Sequence, residues 1–303
     1  MSECELLTDS SSSTYFTGHN SSFNSDTDNL STELHTCFLD KKNNLNLCHI
    51  NAQSVPKHYT ELLDTFSSNL ISAVLVSESW LKPCLPSTAY SLPGFILIRN
   101  DRTGKGGGGV AIYLKSDIPF KIILSSPCNY SASAEYLFIE ISLGSTKVAL
   151  GILYCPPTVD YFSCLEPVLE SLSSDYPHLI IMGDLNTDIS RDSHRTQKLL
   201  SLLKSTGLAY LQLFPTHHNI NGNDSWIDHI LTSADQLVNA HGQVPAPGFS
   251  RHDLIYASFA LKIPKFISRT VQLRSYGRIN LDNLSRDASG IDWTPIQQLH
   301  TFD

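Results

Sequence analysis

In HLIIMGDLNTDI, His178 to Ile189, four successive apolar residues run into a glycine and then present Asp184, Asn186 and Asp188 at alternate positions. An apolar run of that length, bounded by a turn residue, reads as a strand buried on both faces. Gly183 is expected to let the backbone turn out of it. In extended chain Asp184 and Asn186 share one side. A carboxylate beside an amide suits the positioning of a water molecule against a phosphorus centre. A plain Asx turn at a strand end gives the same letters.

Outward from this strand, short apolar runs recur: LNLCHINA, ISAVLVSES, FILIRNDR, GVAIYLK, FKIILSS, EYLFIEISLG, KVALGILYC, SWIDHILTS and IYASFALKI. LGSTK reads as a hairpin turn. Helical spacing marks PKHYTELLDTFSS, DYFSCLEPVLESLSSD and SHRTQKLLSLLKSTG, the last ended by Gly207. Strands and helices mixed with hairpin connections define an α/β class with largely antiparallel strands. Two sheets packed face to face, helices outside, accommodate this order.

Composition bounds the rest. Residues 1–44 carry seven acids against two bases and few large apolar residues. They read as a disordered Ser/Asn-rich tail, because so little apolar surface cannot offset chain entropy. The ordered domain is expected over 45–263, and 264–303 reads as a basic linker leading into a further region. The formal net charge is -8, most of it in the tail, so bulk charge does not advertise nucleic-acid binding. Seven cysteines, none at C-x-x-C spacing, argue against a disulfide framework or a zinc site. No apolar run is long enough to span a membrane and no signal peptide is legible, which points to a nuclear or cytoplasmic, intracellular setting.

Several motifs fail. GKGGGG, Gly104 to Gly109, lacks a following helix and reads as a turn between two strands rather than a dinucleotide fingerprint. DLNTD opens like a calcium loop, but Ile189 and Arg195 stand where Gly and Glu are required. The adjacent His217 and His218 read as a polar loop. There is no nucleophile elbow.

What survives is a set of polar residues at strand ends: Asn51 after LCHI, Glu78 after AVLVS, Asp228 in SWIDHI and His252 in SRHD, beside Asp184. Asn51 and Glu78 offer hard oxygen ligands suited to Mg²⁺ or Mn²⁺. His252, oriented by Asp228, can stabilise a developing oxyanion. Asp184 can orient or deprotonate an attacking water.

At these residues the sequence resembles the endonuclease/exonuclease/phosphatase family, and most of all the endonuclease domains of jockey-like non-long-terminal-repeat retrotransposons. The likeness runs from about Leu45 to Ile263 through INAQS, SESW, GGGGVAIYL, LYCPP, GDLN, SWIDHI and SRHD. It implies a four-layer α-β-β-α sandwich and a DNA-nicking phosphodiesterase whose 3′-hydroxyl product primes a downstream reverse transcriptase. It implies a metal at Asn51 and Glu78, a phosphate contact from Tyr154, water handling by Asp184 and Asn186, and a dyad of Asp228 and His252. One departure stands out: Arg251 occupies the place of an Asp in the usual Ser-Asp-His. Arg251 is then a contact to DNA phosphate, or activity is reduced. A catalytically weak nucleic-acid-binding relic, or a related phosphatase or RNA nuclease, are the alternatives.

Overall fold

The computed structural model describes residues 24–66, 70–220, 222–263 and 280–292. The chain divides into two compact units, Met1–Pro264 and Lys265–Asp303. The first holds α1 (Asn24–Phe38), α2 (Tyr59–Thr65), α3 (Phe162–Asp175) and α4 (His194–Thr206) with two six-stranded mixed sheets. One sheet comprises β1 (Asn44–Asn51), β2 (Ala73–Ser77), β3 (Phe95–Asn100), β4 (Val110–Lys115), β11 (Val238–Val244) and β12 (Leu254–Lys262), in the order β11-β12-β1-β2-β4-β3. The other comprises β5 (Phe120–Ser125), β6 (Glu135–Leu143), β7 (Thr146–Tyr154), β8 (Leu179–Asp184), β9 (Ala209–Tyr210) and β10 (Asp228–Thr232), in the order β5-β6-β7-β8-β10-β9.

Three apolar layers hold this unit together. Leu47, Leu75, Ile112, Ile139, Ile152 and Met182 fill the space between the sheets. Leu34, Phe38, Leu62 and Phe66 pack α1 and α2 on the outer face of the first sheet. Leu165, Leu169, Leu199 and Leu203 do the same for α3 and α4 on the second. The result is the four-layer α-β-β-α sandwich. LGSTK forms the β6–β7 hairpin, GKGGGG lies in the connection from β3 to β4, and Gly207 ends α4 in the left-handed conformation at φ 67°.

Each sheet contains one parallel pair, β1 with β2 and β7 with β8, joined by α2 and α3. All other neighbours are antiparallel. This arrangement sets up the site. Asn51 pairs with Ser77 at the carboxyl ends of the first parallel pair, and Tyr154 with Asp184 at those of the second. The antiparallel β10 begins there, with Asp228 opposite Asp184.

One boundary differs from the expectation. The stretch 1–44 is not wholly a tail: Asn24–Phe38 is helical, and Leu30, Leu34 and Phe38, four residues apart, are buried. Three apolar side chains on one face suffice to dock a helix that average composition disguises. Residues 1–23 lie outside the described residues. Of the expected basic linker 264–303, only 280–292 is described, and it carries α5 (Leu281–Ser289), whose first turn is capped by the Asn280 side chain accepting from the N–H groups of Asp282 and Asn283. Among the described cysteines, Cys37, Cys48, Cys128, Cys155 and Cys164 are free thiols. No helix among the described residues is long and apolar enough to cross a membrane.

Because Leu34 is almost completely buried, Leu34→Ala is expected to lower unfolding free energy by roughly 2–5 kcal/mol in a denaturant titration. An unchanged midpoint would mean that α1 is not part of the fold.

Candidate active site

The rim formed by the carboxyl ends of the two parallel pairs gathers residues that are far apart in sequence. The Asn51 side chain is the hub: its Nδ2 donates to Glu78 Oε1 at 3.1 Å and to Asp184 Oδ2 at 3.0 Å, and lies 3.5 Å from His252 Nε2. Its Oδ1 accepts the Gln53 N–H at 3.2 Å. His252 Nδ1 pairs with Asp228 Oδ2 at 2.8 Å, and the same oxygen accepts Thr216 Oγ1 at 2.7 Å. Asp184, Asp228 and His252 each place a ligand atom within 4.8 Å of the others. Asn51, Glu78, Asp184, Asp228 and His252 therefore form one cluster.

Burial governs the charges. Asp184 is pushed up to about 8 by its burial and then by the charge of Asp228 opposite it, against the pull of His252 and the Asn186 N–H. Burial opposes a charge on His252, but the Asp228 carboxylate and its hydrogen bond, with Asp184 and Glu78, outweigh it and raise the imidazole to about 9. Burial would raise Asp228, yet the charge and hydrogen bond of His252, with the Thr216 hydroxyl, bring it below the ordinary carboxylate range. Asp228 and His252 thus stand as an ion pair.

Tyr154 closes β7 beside Asp184, buried at 6% exposure. Burial, followed by the charges of Glu78 and Asp184, keeps its phenol far above the ordinary range and hence a proton donor. Asn186 departs from the extended-chain expectation. The strand ends at Asp184, and Asn186 takes φ 45°. Its backbone N–H donates to Asp184 Oδ1 at 2.9 Å, which is the Asx turn, while its Nδ2 donates to the Cys155 carbonyl at 2.9 Å. The main chain, not the amide side chain, steadies Asp184. Gly183 also differs in its reason: it stays within β8, and a Cβ there would fall 2.0 Å from the Leu153 carbonyl oxygen. Close strand approach requires it. Arg251 is exposed and Asp253 is buried, with Asp253 turned toward Gln243 and His218 rather than into the cluster.

Several contributors carried no legible signal. Ser250 Oγ donates to the Asn51 carbonyl at 2.7 Å and accepts the His252 N–H at 3.2 Å, fastening the two residues together. His217, expected in a plain polar loop, sets its ring 4.5 Å from that of His252. His49 is fully buried, with Nδ1 3.9 Å from Asp228 Oδ1, and neither atom has a hydrogen-bond partner. Burial, against the attraction of Asp228, lowers His49 to about 4, so it is neutral.

The glycine-rich loop proves to be the support of Glu78. Glu78 and Trp80 hold φ values of 50° and 53°, a conformation that costs roughly 1–3 kcal/mol per residue. Gly109 and Gly108 carbonyls accept the Ser79 and Trp80 N–H groups, and Trp80 Nε1 donates to Glu78 Oε2 at 3.1 Å. The loop wraps the buried Arg102, which pairs with Glu135 and lies over the Tyr154 ring at 5.6 Å. A Cβ on Gly108 would fall 2.0 Å from the Arg102 guanidinium carbon.

A divalent cation fits this donor set. Among the described residues, Glu78, Asp184 and Asp228 converge with only His252 to compensate them, and Asp228 Oδ1 is buried without a partner. His252, held cationic and bonded through Nδ1, is a poor ligand. Glu78 and Asp184 supply the hard oxygens such an ion takes, and the Asn51 amide, whose Nδ2 faces them, would present its oxygen once flipped.

Fold and cluster together define a two-sheet α/β sandwich with an acid, amide and imidazole centre on its rim. The chain belongs to the endonuclease/exonuclease/phosphatase family, whose sequence profile matches residues 44–252. No curated protein matches it. Among solved structures it is similar to the endonuclease domain of TRAS1, a telomere-specific non-LTR retrotransposon, at 17% identity and TM-score 0.57, over 72% of this chain and 99% of that one. It is also similar to the 3′ phosphatase NExo from Neisseria bound to a product DNA hairpin, at 17% identity and TM-score 0.56, over 71% and 99%. The AP endonuclease LMAP from Leishmania major shares 14% identity at TM-score 0.59, over 73% and 89%.

Gly108→Ala is expected to cost roughly 3 kcal/mol or more by displacing the buried Arg102–Glu135 pair, whereas Gly106→Ala, with open space around it, should be near neutral in thermal melts. Equal melting points would show that the loop tolerates bulk. His218 is raised above the ordinary histidine range by its hydrogen bond to Asp224 and, against burial, by Asp253. A raised value stabilises the fold fully below the unfolded pKa, and this contribution disappears as pH rises through the folded one. His218→Gln should therefore lower Tm more at about pH 5.5 than at about pH 9. A pH-independent difference would refute the pairing.

Proposed function

We propose that this protein is a divalent-metal-dependent phosphodiesterase that nicks DNA, of the kind carried by non-LTR retrotransposons, in which a reverse transcriptase follows. The observation that carries the reading is the Asn51 amide joined to Glu78 and Asp184, with the Asp228–His252 ion pair alongside. That set contains what hydrolysis of a phosphodiester requires.

Asn51 and Glu78, with Asp184, would hold Mg²⁺ or Mn²⁺, which when bound neutralises charge developing on the phosphate. A bound cation would favour the carboxylate form of Asp184 over the protonated form that burial favours, and the carboxylate, fixed by the N–H of Asn186, then orients the attacking water and accepts its proton. His252, kept cationic by Asp228, donates to a phosphate oxygen as negative charge grows there. Tyr154, a protonated phenol at the same strand end, donates to the phosphate from the other side of Asp184. Asn186 holds its turn against Cys155 and so keeps the water position fixed. Arg251, exposed beside His252, meets a phosphate of the DNA backbone. DNA as substrate is supported by the retrotransposon endonuclease domain and the DNA-bound phosphatase to which the chain is similar.

In a supercoiled-plasmid assay with Mg²⁺, the protein should convert the plasmid to the open-circular form, and EDTA should abolish conversion. Asp184→Asn and His252→Ala should each slow it by roughly 10²–10³-fold. Full-rate nicking by both variants would remove the assigned site, and faster turnover of poly(A) or a phosphoinositide than of DNA would reassign the substrate.

A further inference from the structure

Leu45, Leu47, His49 and Asn51 alternate along β1, and the first two fill the space between the sheets. The period of two puts His49 on that same face, one step below the rim that Asn51 occupies. An apolar residue would continue the layer there, yet the position holds a fully buried imidazole. Its Nε2 lies 3.1 Å from Ser77 Oγ, at the end of β2. Its Nδ1 lies across the sandwich from Asp228 on β10, 3.9 Å from Oδ1. Those two atoms are buried without hydrogen-bond partners. The other carboxylate oxygen, Oδ2, is held twice, by His252 and by Thr216. Asp228 is thus gripped on one oxygen, and its Oδ1 stands outside the set assigned to the cation.

A neutral imidazole carries its proton on one nitrogen, and its neighbours decide which. On Nε2, the proton would go to Ser77 Oγ and leave the Nδ1 lone pair facing an ionised carboxylate. On Nδ1, the proton faces that carboxylate, and the Ser77 hydroxyl donates to Nε2. Charge selects the second arrangement. The 3.9 Å separation exceeds a hydrogen bond but falls short of the two bond lengths an in-line water would need, and a shift of about 1 Å closes it. We propose that His49 is a positioning residue for the phosphodiester chemistry: its Nδ1–H donates to Asp228 Oδ1, Ser77 fixes that tautomer, and the carboxylate, held at both oxygens, keeps His252 aimed. The chain Ser77–His49–Asp228–His252 crosses from the first sheet to the second and back, beneath the rim. Its effect on turnover rests on the phosphodiesterase reading, whereas the tautomer does not.

The test uses the full chain labelled with ¹⁵N, in EDTA, and two amide substitutions. The Asn side-chain nitrogen stands about where Nδ1 of histidine stands, and the Gln nitrogen about where Nε2 stands. Long-range ¹H–¹⁵N spectra of the parent should show His49 protonated on Nδ1 and bare on Nε2. This reading needs no variant, so it decides even where a variant fails to fold. The His252 ring signals should move in His49→Gln and stay near those of the parent in His49→Asn. In steady-state plasmid nicking, His49→Gln should lower kcat by roughly 10–100-fold with KM unchanged, and His49→Asn should recover most of that loss. A merely structural role predicts the opposite order, because Gln is nearer to His in volume. A proton on Nε2, equal rates for the two variants, or Gln outperforming Asn would each overturn the proposal. If the parent fails to nick while His49 is protonated on Nδ1 and the His252 signals follow the stated order, the phosphodiesterase reading alone falls. Nicking by a parent whose His49 is protonated on Nε2 removes the positioning role alone.

Discussion

The register of β10 against β8 sets Asp228 directly opposite Asp184, two carboxylates with almost no exposure to water. Like charges in adjacent strand positions repel, and burial enlarges the repulsion. The second sheet does not relieve this by itself. Relief comes across the sandwich, from Asn51 at the end of β1, which donates to Asp184, and from His252 just before β12, which neutralises Asp228. The face-to-face packing of the sheets and the chemistry of the rim are therefore one problem. If the sheets slid, Asp184 would lose Asn51 and Asp228 would lose His252.

The same coupling explains where strain is stored. Gln53, Ser54, Glu78, Trp80 and Asn186 all hold positive φ, and all five flank the cluster. They are tolerated because backbone hydrogen bonds over-determine them: Ser54 and Val55 donate to the carbonyls of Glu78 and Ser79, and Ser79 and Trp80 donate to those of Gly109 and Gly108. The glycine-rich loop is itself held by the buried Arg102–Glu135 pair. A chain of supports thus runs from an ion pair through glycines to the carboxylate of Glu78, and flexibility at any link would loosen that carboxylate.

A shared fold does not fix a substrate. Solved structures similar to this chain include a retrotransposon endonuclease domain, a 3′ phosphatase and an AP endonuclease, all on the same sandwich. In this chain the edge of the site carries chemistry of its own. Arg251 and Lys57 bring unpaired positive charge, and the Pro245 to Phe249 turn brings apolar surface next to His252. With most of the net charge in residues 1–44, such local features, rather than a broad field, are left to do the selecting.

Local pattern was enough for much of this. LIIM followed by GD marked a buried strand with a carboxylate at its end, and the helices and the hairpin at Gly144 followed from period and turn chemistry. The residues Asn51, Glu78, Asp184, Asp228 and His252 stood out because polar groups closing or interrupting apolar runs are conspicuous in one dimension, and Tyr154 was marked only by the family resemblance. Hidden from it were α1, whose three buried side chains sit in a polar stretch, and the work of Ser250, Thr216, His49 and the glycine loop. The sequence determines which residues are buried and with what period, since those depend on near neighbours. Which carboxylate faces which imidazole is decided only by register and sheet packing, which bring together atoms separated by 24 positions for Asp228 and His252 and by 133 for Asn51 and Asp184.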